Sequence, residues 1–219
     1  MTILGIGDAS EYDTFPTTEW NKAASMGCKF AIVRATTTGA WNYTTQKPTV
    51  RADAMFNQNT LKIAQAGMDS LSYCWFDPRP QLTAMEQATF FVETVEKVGG
   101  PGKMAVVDVE KTGMIVYNAA SILRLRAWCE IVAQAGYKVG IYSYPSGIDE
   151  LAIMADISWM KDYQFLVAHW DVTAPRIPFP WHPGCQAAWQ YTAYAKGAPY
   201  GFNPSAPGKP GLRICLAVM

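Results

Sequence analysis

The sequence predicts an α/β fold: an irregular (β/α)8-like barrel, a single domain over residues 1–219, with the last crossovers lacking regular helices. Three observations carry this. Eight apolar, β-branched runs are spread along the chain. The first five are each followed by a helix or helix candidate, the order that parallel strands joined by crossover helices require. No composition shift, internal repeat or low-complexity tract divides the 219 residues, half of which are hydrophobic, enough for one substantial core. Near-continuous apolar strands suit a sheet buried on both faces, and eight of them favour a closed barrel over an open doubly wound sheet.

"TILGIGDA" (2–9) reads as the first strand. "TTEWNKAASMG" (17–27) reads as a helix capped by Thr17 or Thr18 and stopped by Gly27. "KFAIVRAT" (29–36) is the second strand, and residues 40–51, "AWNYTTQKPTVR", read as an irregular loop. "ADAMFNQNTLKIAQAG" (52–67) is amphipathic, with Phe56, Leu61, Ile63 and Ala64 among its apolar positions, and ends at Gly67. "DSLSYCWF" (69–76) is the third strand, closed by "DPRP". In the next helix Thr83 stands three residues before Glu86, the capping-box spacing, and Gly99-Gly100 close it. "KMAVVDVE" (103–110) is the fourth strand, followed by a long helix that ends at Gly136. "YKVGIYSY" (137–144) is the fifth, followed by a helix around residues 148–160. "YQFLVAHW" (163–170), "CQAAWQYT" (185–192) and "GLRICLAV" (211–218) are the last three. The Pro-rich "TAPRIPFPWHPG" between the sixth and seventh cannot pair regularly.

Bulk properties exclude several functions. Net charge is zero, which argues against an electrostatic nucleic-acid binder. No run of 18 apolar residues suggests a membrane span. The start, "MTILGIGDAS", lacks the basic, apolar and cleavage regions of an export signal. The five cysteines (28, 74, 129, 185 and 215) are scattered and form no CxxC pair, so they read as reduced structural thiols, with neither zinc nor a disulfide framework expected. The two histidines, His169 and His182, lie 13 apart with no acid spaced for a metal. No metal and no cofactor is expected. No phosphate-binding Gly-rich loop and no nucleophile elbow is present.

The chemistry concentrates at the predicted C-terminal ends of the strands, the face that carries function in such barrels. Asp108 and Glu110, one residue apart on the fourth strand, should point the same way with Cα atoms roughly 6–7 Å apart, while Val109 faces the helix layer. Two carboxyls this close cannot both ionise cheaply, so one should hold its proton while the other stays charged. That division of labour is the one used to cleave glycosidic bonds. Asp8 ends the first strand on the same face. Arg34 follows on the second, Tyr142 on the fifth, Asp171 after the sixth, and Gln190 on the seventh. The aromatic residues Trp75, Trp170, Trp189 and Tyr142 sit at or near strand ends, where their faces could stack on sugar rings. A D-x-E at a strand end is also what a solvated surface looks like, and aromatic clusters are more often core. Only the convergence of the features favours catalysis.

The order of motifs resembles the glycoside hydrolase family 25 lysozymes, the Chalaropsis-type muramidases common among phage endolysins. "GIGDAS" (5–10) resembles the family's opening Gly-x-Asp-Val-Ser, with Ala9 for Val. "GCKFAIVRATTTG" resembles its Phe-x-x-x-Arg-Ala-Thr strand, and "YCWF" its Tyr-His-Phe, with Cys74 in the His place. "EQATFF", "VVDVE", "GYKVGIYSY", "FLVAHW" and "AAWQYT" follow in family order, so the likeness runs from about residue 4 to 192. The resemblance implies retaining cleavage of the bond between N-acetylmuramic acid and N-acetylglucosamine in peptidoglycan, without a metal. Glu110 would be the general acid/base. Asp108 would support the transition state, with a covalent carboxylate intermediate and help from a substrate N-acetyl group that it orients both open, and Asp8 would complete the acidic floor. Tyr73, Tyr142 and Trp189 would help line the cleft. It also implies a monomer encoded by a phage or prophage, made in the host cytoplasm and acting on the wall, or carried on the virion. One departure stands out: the family closes on an Asp in its last strand, where "RICLAVM" offers Cys215 and Ala217. Asp171 could substitute for it. The competing readings are a decayed carbohydrate-binding or virion structural module, and a barrel hydrolase acting on another glycan.

Overall fold

The computed structural model describes residues 3–12, 18–111, 116–196, 198–200, 202 and 213–218. Among these residues nine strands form one sheet: β1 (Leu4–Ala9), β2 (Phe30–Asn42), β3 (Lys47–Ala52), β4 (Asp69–Trp75), β5 (Ala105–Asp108), β6 (Val139–Ser143), β7 (Gln164–Ala168), β8 (Gln186–Lys196) and β9 (Arg213–Val218). Among the same residues five α-helices accompany them: α1 (Trp20–Ser25), α2 (Phe56–Gln65), α3 (Ala84–Glu96), α4 (Ala119–Gln134) and α5 (Pro145–Met154), with a 3-10 turn at Ser158–Asp162. Strand order is β1-β9-β8-β7-β6-β5-β4-β2-β3, and β1 also pairs with β2, so the pairings return to their starting strand with β3 outside the ring. The chain is a mixed α/β domain around a mostly parallel, barrel-like sheet.

The sheet separates two apolar clusters. Phe30, Ile32, Leu71, Tyr73, Met104, Val106, Leu166 and Ala188 fill the inside. Alternate residues such as Val33, Val107, Val109 and Val167 meet Phe91, Leu125 and Trp128 of the helices outside. The inside is packed tightly: a Cβ on Gly140 would collide with Met104 Sδ and Leu166 Cδ1. Local signals set the helix limits. Thr83 and Glu86 form the capping box of α3. Asn118 and Ser121 form a second one at α4. Gly27, Gly67, Gly99 and Gly136 take positive φ just after helix ends.

Several expectations are corrected. Residues 40–51 form no irregular loop; they belong to a hairpin in which β2 continues to Asn42 and pairs antiparallel with β3. Its turn is built by Asn42, whose Oδ1 accepts from the N–H groups of Thr44 and Thr45, and by Gln46 at φ 54°. Pro48 is tolerated because β3 is an edge strand. The final strand does not join parallel: β9 runs antiparallel to both β8 and β1. The sequence between them, residues 197–212, is rich in Gly and Pro and unsuited to a crossover helix, and only antiparallel neighbours can be joined without one. The N-cap of α1 is Glu19, with no side-chain cap bond; of the two caps expected, Thr18 lies before it and Thr17 is outside the described residues. On α2 the buried face is Phe56, Asn59 and Ile63, so Leu61 and Ala64 point to solvent. The helix after β6 begins earlier than expected, at Pro145, which occupies its first turn without losing a needed hydrogen bond.

Candidate active site

Alternation along β5 puts Val107 and Val109 in the outer cluster and turns Val106, Asp108 and Glu110 inward. β1 needs a further device. Ile6 faces outward, so strict alternation would place Asp8 outward too. Register slips between Ile6 and Asp8 against β9, and between Ile6 and Ala9 against β2. This bulge returns Ala9 to the outer cluster and swings Asp8 to the inside. As a result Gly7, Asp8, Ile32, Tyr73, Val106, Asp108, Glu110 and Tyr142 line one hollow. Glu110 also lines an outer cleft with Tyr144, Ser146, Ala168, His169, Trp170 and Asp171. The two spaces meet at that carboxyl.

The electrostatics of the hollow are unusual. Asp108 is 7% exposed, and its Oδ1 has no hydrogen-bond partner among the described residues. Burial pushes its carboxyl well above the ordinary range, and the neighbouring carboxyls of Glu110 and Asp8 push it further, against a smaller opposing pull from Arg34. Burial also raises Glu110. The two titrate as a pair that keeps a proton where ordinary carboxyls have lost theirs. Tyr73 donates its O–H to Asp8 Oδ1 at 2.8 Å, and burial raises this phenol well above its usual value. Among the described residues, no three His, Cys, Asp or Glu side chains are grouped to hold a metal ion. No helix among them is long and apolar enough to cross a membrane.

The other expected site residues divide. Tyr73 and Tyr142 line the hollow; Trp170 and Asp171 line the outer cleft, Asp171 at φ 56°. Gln190 stands behind both walls, accepting from Tyr142 O–H at 2.7 Å and Trp170 Nε1–H at 3.0 Å. Trp75 packs on the inner cluster at the end of β4. Arg34 is buried behind the wall, its Nε donating to Asp53 Oδ2 at 2.8 Å and its Nη2 to Glu11 Oε1 at 3.3 Å. Trp189 is a correction. It lies one residue from Ala188 and Gln190, so it faces outward; it packs on the outer cluster and donates Nε1–H to the His169 carbonyl at 2.8 Å. His169 accepts from the Arg176 backbone N–H through Nδ1 and lines the outer cleft. Sequence reasoning missed the salt-bridge cluster of Glu11, Arg34, Arg51 and Asp53, because its members come from three separate segments. Of the last strand only the backbone is described at Cys215, which pairs with Asp8.

The family model for Glycosyl hydrolases family 25 matches residues 8–198, most of the chain. The chain belongs to glycosyl hydrolases family 25. Solved structures agree on the fold of this family 25 chain. A bacterial lysozyme from Streptomyces coelicolor is 21% identical, with a TM-score of 0.70 over 98% of this chain and 90% of that one. A family GH25 lysozyme from Aspergillus fumigatus is 16% identical, with a TM-score of 0.72 over 100% of this chain and 94% of that one. The catalytic domain of the endolysin ply40 from bacteriophage P40 of Listeria monocytogenes is 19% identical, with a TM-score of 0.63 over 99% and 92%. No curated protein sequence matches the chain. The family 25 assignment makes the chain a glycoside hydrolase of the lysozyme type.

Proposed function

We propose that the protein is a muramidase that hydrolyses the N-acetylmuramic acid–N-acetylglucosamine bond of peptidoglycan with retention at the anomeric carbon. The observation that carries this is the gathering of three carboxyls, Asp8, Asp108 and Glu110, around one hollow, with Asp108 buried beside the other two. Glu110, where the hollow opens into the outer cleft, is the general acid. Its proton goes to the glycosidic oxygen as the bond to the anomeric carbon breaks, while the carbonyl oxygen of the substrate's own N-acetyl group bonds to that carbon. The Glu110 carboxylate then takes a proton from the water that reopens the ring so formed. Asp108 orients the acetamido group and balances its developing positive charge. Asp8, braced by Tyr73, completes the floor. Tyr142, Trp170 and Asp171 line the glycan path. The likeness to the bacteriophage P40 endolysin supports a phage- or prophage-encoded enzyme acting on wall glycan strands, which we take to act as a monomer.

The departure at Cys215 favours a second reading, a glycan-binding module without turnover. One experiment separates the two: mass spectrometry of the products released from purified peptidoglycan by wild type and by Glu110→Gln. The muramidase predicts muropeptides with new reducing ends from wild type. It predicts a loss of about 10²- to 10⁴-fold in Glu110→Gln, the usual contribution of a positioned acid–base, with the thermal transition kept. Equal activity in the variant removes Glu110 from the role, and wild-type binding without products establishes the module.

A further inference from the structure

Gln190 shares the inward face of β8 with Ala188 and is 3% exposed. Its Oε1 takes two hydrogen bonds from different elements: the Tyr142 O–H of β6 and the Trp170 Nε1–H that follows β7. β7 lies between β6 and β8, so the Gln190 and Tyr142 side chains together bridge two strand spacings, about 9–10 Å of backbone separation. The residue of β7 directly opposite Gln190 is Ala168, whose methyl group leaves the span open. The ladder already fixes the main chain around Trp170: His169 N–H donates to the Gln190 carbonyl at 3.1 Å, and Asp171 N–H to the Tyr191 carbonyl at 3.3 Å. It does not fix the indole, which is 40% exposed on the wall of the outer cleft. Tyr142 belongs to the wall of the inner hollow. One carboxamide oxygen therefore ties a ring of the inner space to a ring of the outer one, and Glu110 stands where the two spaces meet.

We propose that Gln190 is a positioning residue that holds Tyr142 and Trp170 in fixed relation, so that a glycan long enough to fill both spaces presents its scissile bond to Glu110. This rests on the glycan-hydrolase reading above. Gln190 touches no sugar; it acts through the two rings.

The test follows the Trp170 indole N–H by hydrogen exchange in ¹⁵N–¹H spectra, its signal identified by its loss in Trp170→Phe. Kinetics on soluble peptidoglycan glycan strands run alongside. In Gln190→Met the indole N–H should exchange about tenfold faster or more, and KM should rise about tenfold with kcat within about threefold, the scale set by one or two lost hydrogen bonds. Tyr142→Phe removes a single hydroxyl and keeps the fold. It should also speed Trp170 exchange several-fold, because the Gln190 carbonyl loses its second anchor; a purely local packing role would not transmit this. Unchanged Trp170 exchange in both variants overturns the proposal, and so does faster exchange with an unchanged KM. If the wild type releases no reducing ends, the hydrolase reading fails, while the exchange result still decides whether Gln190 couples the two rings.

Discussion

Two groups of acids lie close together in this molecule and behave in opposite ways. Glu11 and Asp53 are surrounded by donors. Glu11 accepts from both Arg51 and Arg34 and from the Ala54 N–H, and Asp53 accepts from Arg34 Nε and from the N–H groups of Glu11 and Met55. Arg34 is further held over the Tyr12 ring, 4.7 Å from its centre. The hydrogen bond from Arg51 leads the effects that lower the Glu11 carboxyl to about 2. Among the described residues Asp108 Oδ1 has no such partner, and burial moves both Asp108 and Glu110 upward. The residue types are the same; the supply of donors differs. Paired acids become permanent charges that fix structure, and underpaired buried acids become proton carriers. Arg34 serves both groups, pairing the first and partly offsetting the charge of the second.

The largest way to break this contrast is Arg34→Gln. It leaves buried Asp53 without its cation and strips Glu11 of one of two. Removing one partner of a buried pair costs about 3–5 kcal/mol, because the remaining charge is stranded. Urea unfolding at pH 7 should show that loss. A cost under about 1 kcal/mol would mean that the cluster contributes little and that the contrast between the acid groups is not electrostatic.

Asp108→Asn tests the other group and should act with the opposite sign. In the folded state burial and the neighbouring carboxyls let the Asp108–Glu110 pair keep a proton that the unfolded chain gives up near pH 4. The folded form thus binds more protons above that pH, and wild-type stability declines as pH rises from there through the raised range of the pair. Asparagine cannot ionise. The variant should match wild type below about pH 4 and exceed it by about 1 kcal/mol or more at pH 7, the scale of a relieved buried polar group. Glycan cleavage should fall about 10²-fold, the scale of one lost electrostatic contact in the transition state. A variant less stable than wild type at pH 7 would show that Asp108 is satisfied as an anion.

The same contrast marks what could be read from the chain. Alternation around Val109 sufficed to aim Asp108 and Glu110 inward, because β5 is regular. Asp8 could be assigned to a strand end but not aimed: its direction depends on the register slip after Ile6, for which the neighbouring Gly7 was the only hint. Alternation applied as strictly to β8 would have excluded Trp189 once Gln190 was placed inside. The β2–β3 hairpin was hidden by Pro48 and the polar turn, which locally resemble a loop; only edge placement, a tertiary property, makes that proline acceptable. The donor-rich cluster was invisible because Glu11 and Asp53 lie 42 residues apart and meet only through the fold.

The smallest change sharpens the comparison on its acid side. Glu11→Gln keeps the shape of the side chain and removes the charge that Arg51 and Arg34 share. The folded carboxyl titrates at about 2, below the ordinary value of 4.5, so the unfolded chain binds the proton first as pH falls. The stabilisation is complete above about pH 5 and drains away as pH drops toward 2, the reverse of the window for Asp108. At pH 7 the variant should lose about 1–2 kcal/mol, less than the full shift would give because Arg51 is partly open to water. By pH 2.5 the two proteins should nearly converge. Chemical unfolding at pH 7, 4 and 2.5 measures this. A difference that stays constant across the three would assign the role of Glu11 to packing and its backbone bond to Ala54, leaving Arg34 anchored by Asp53 alone.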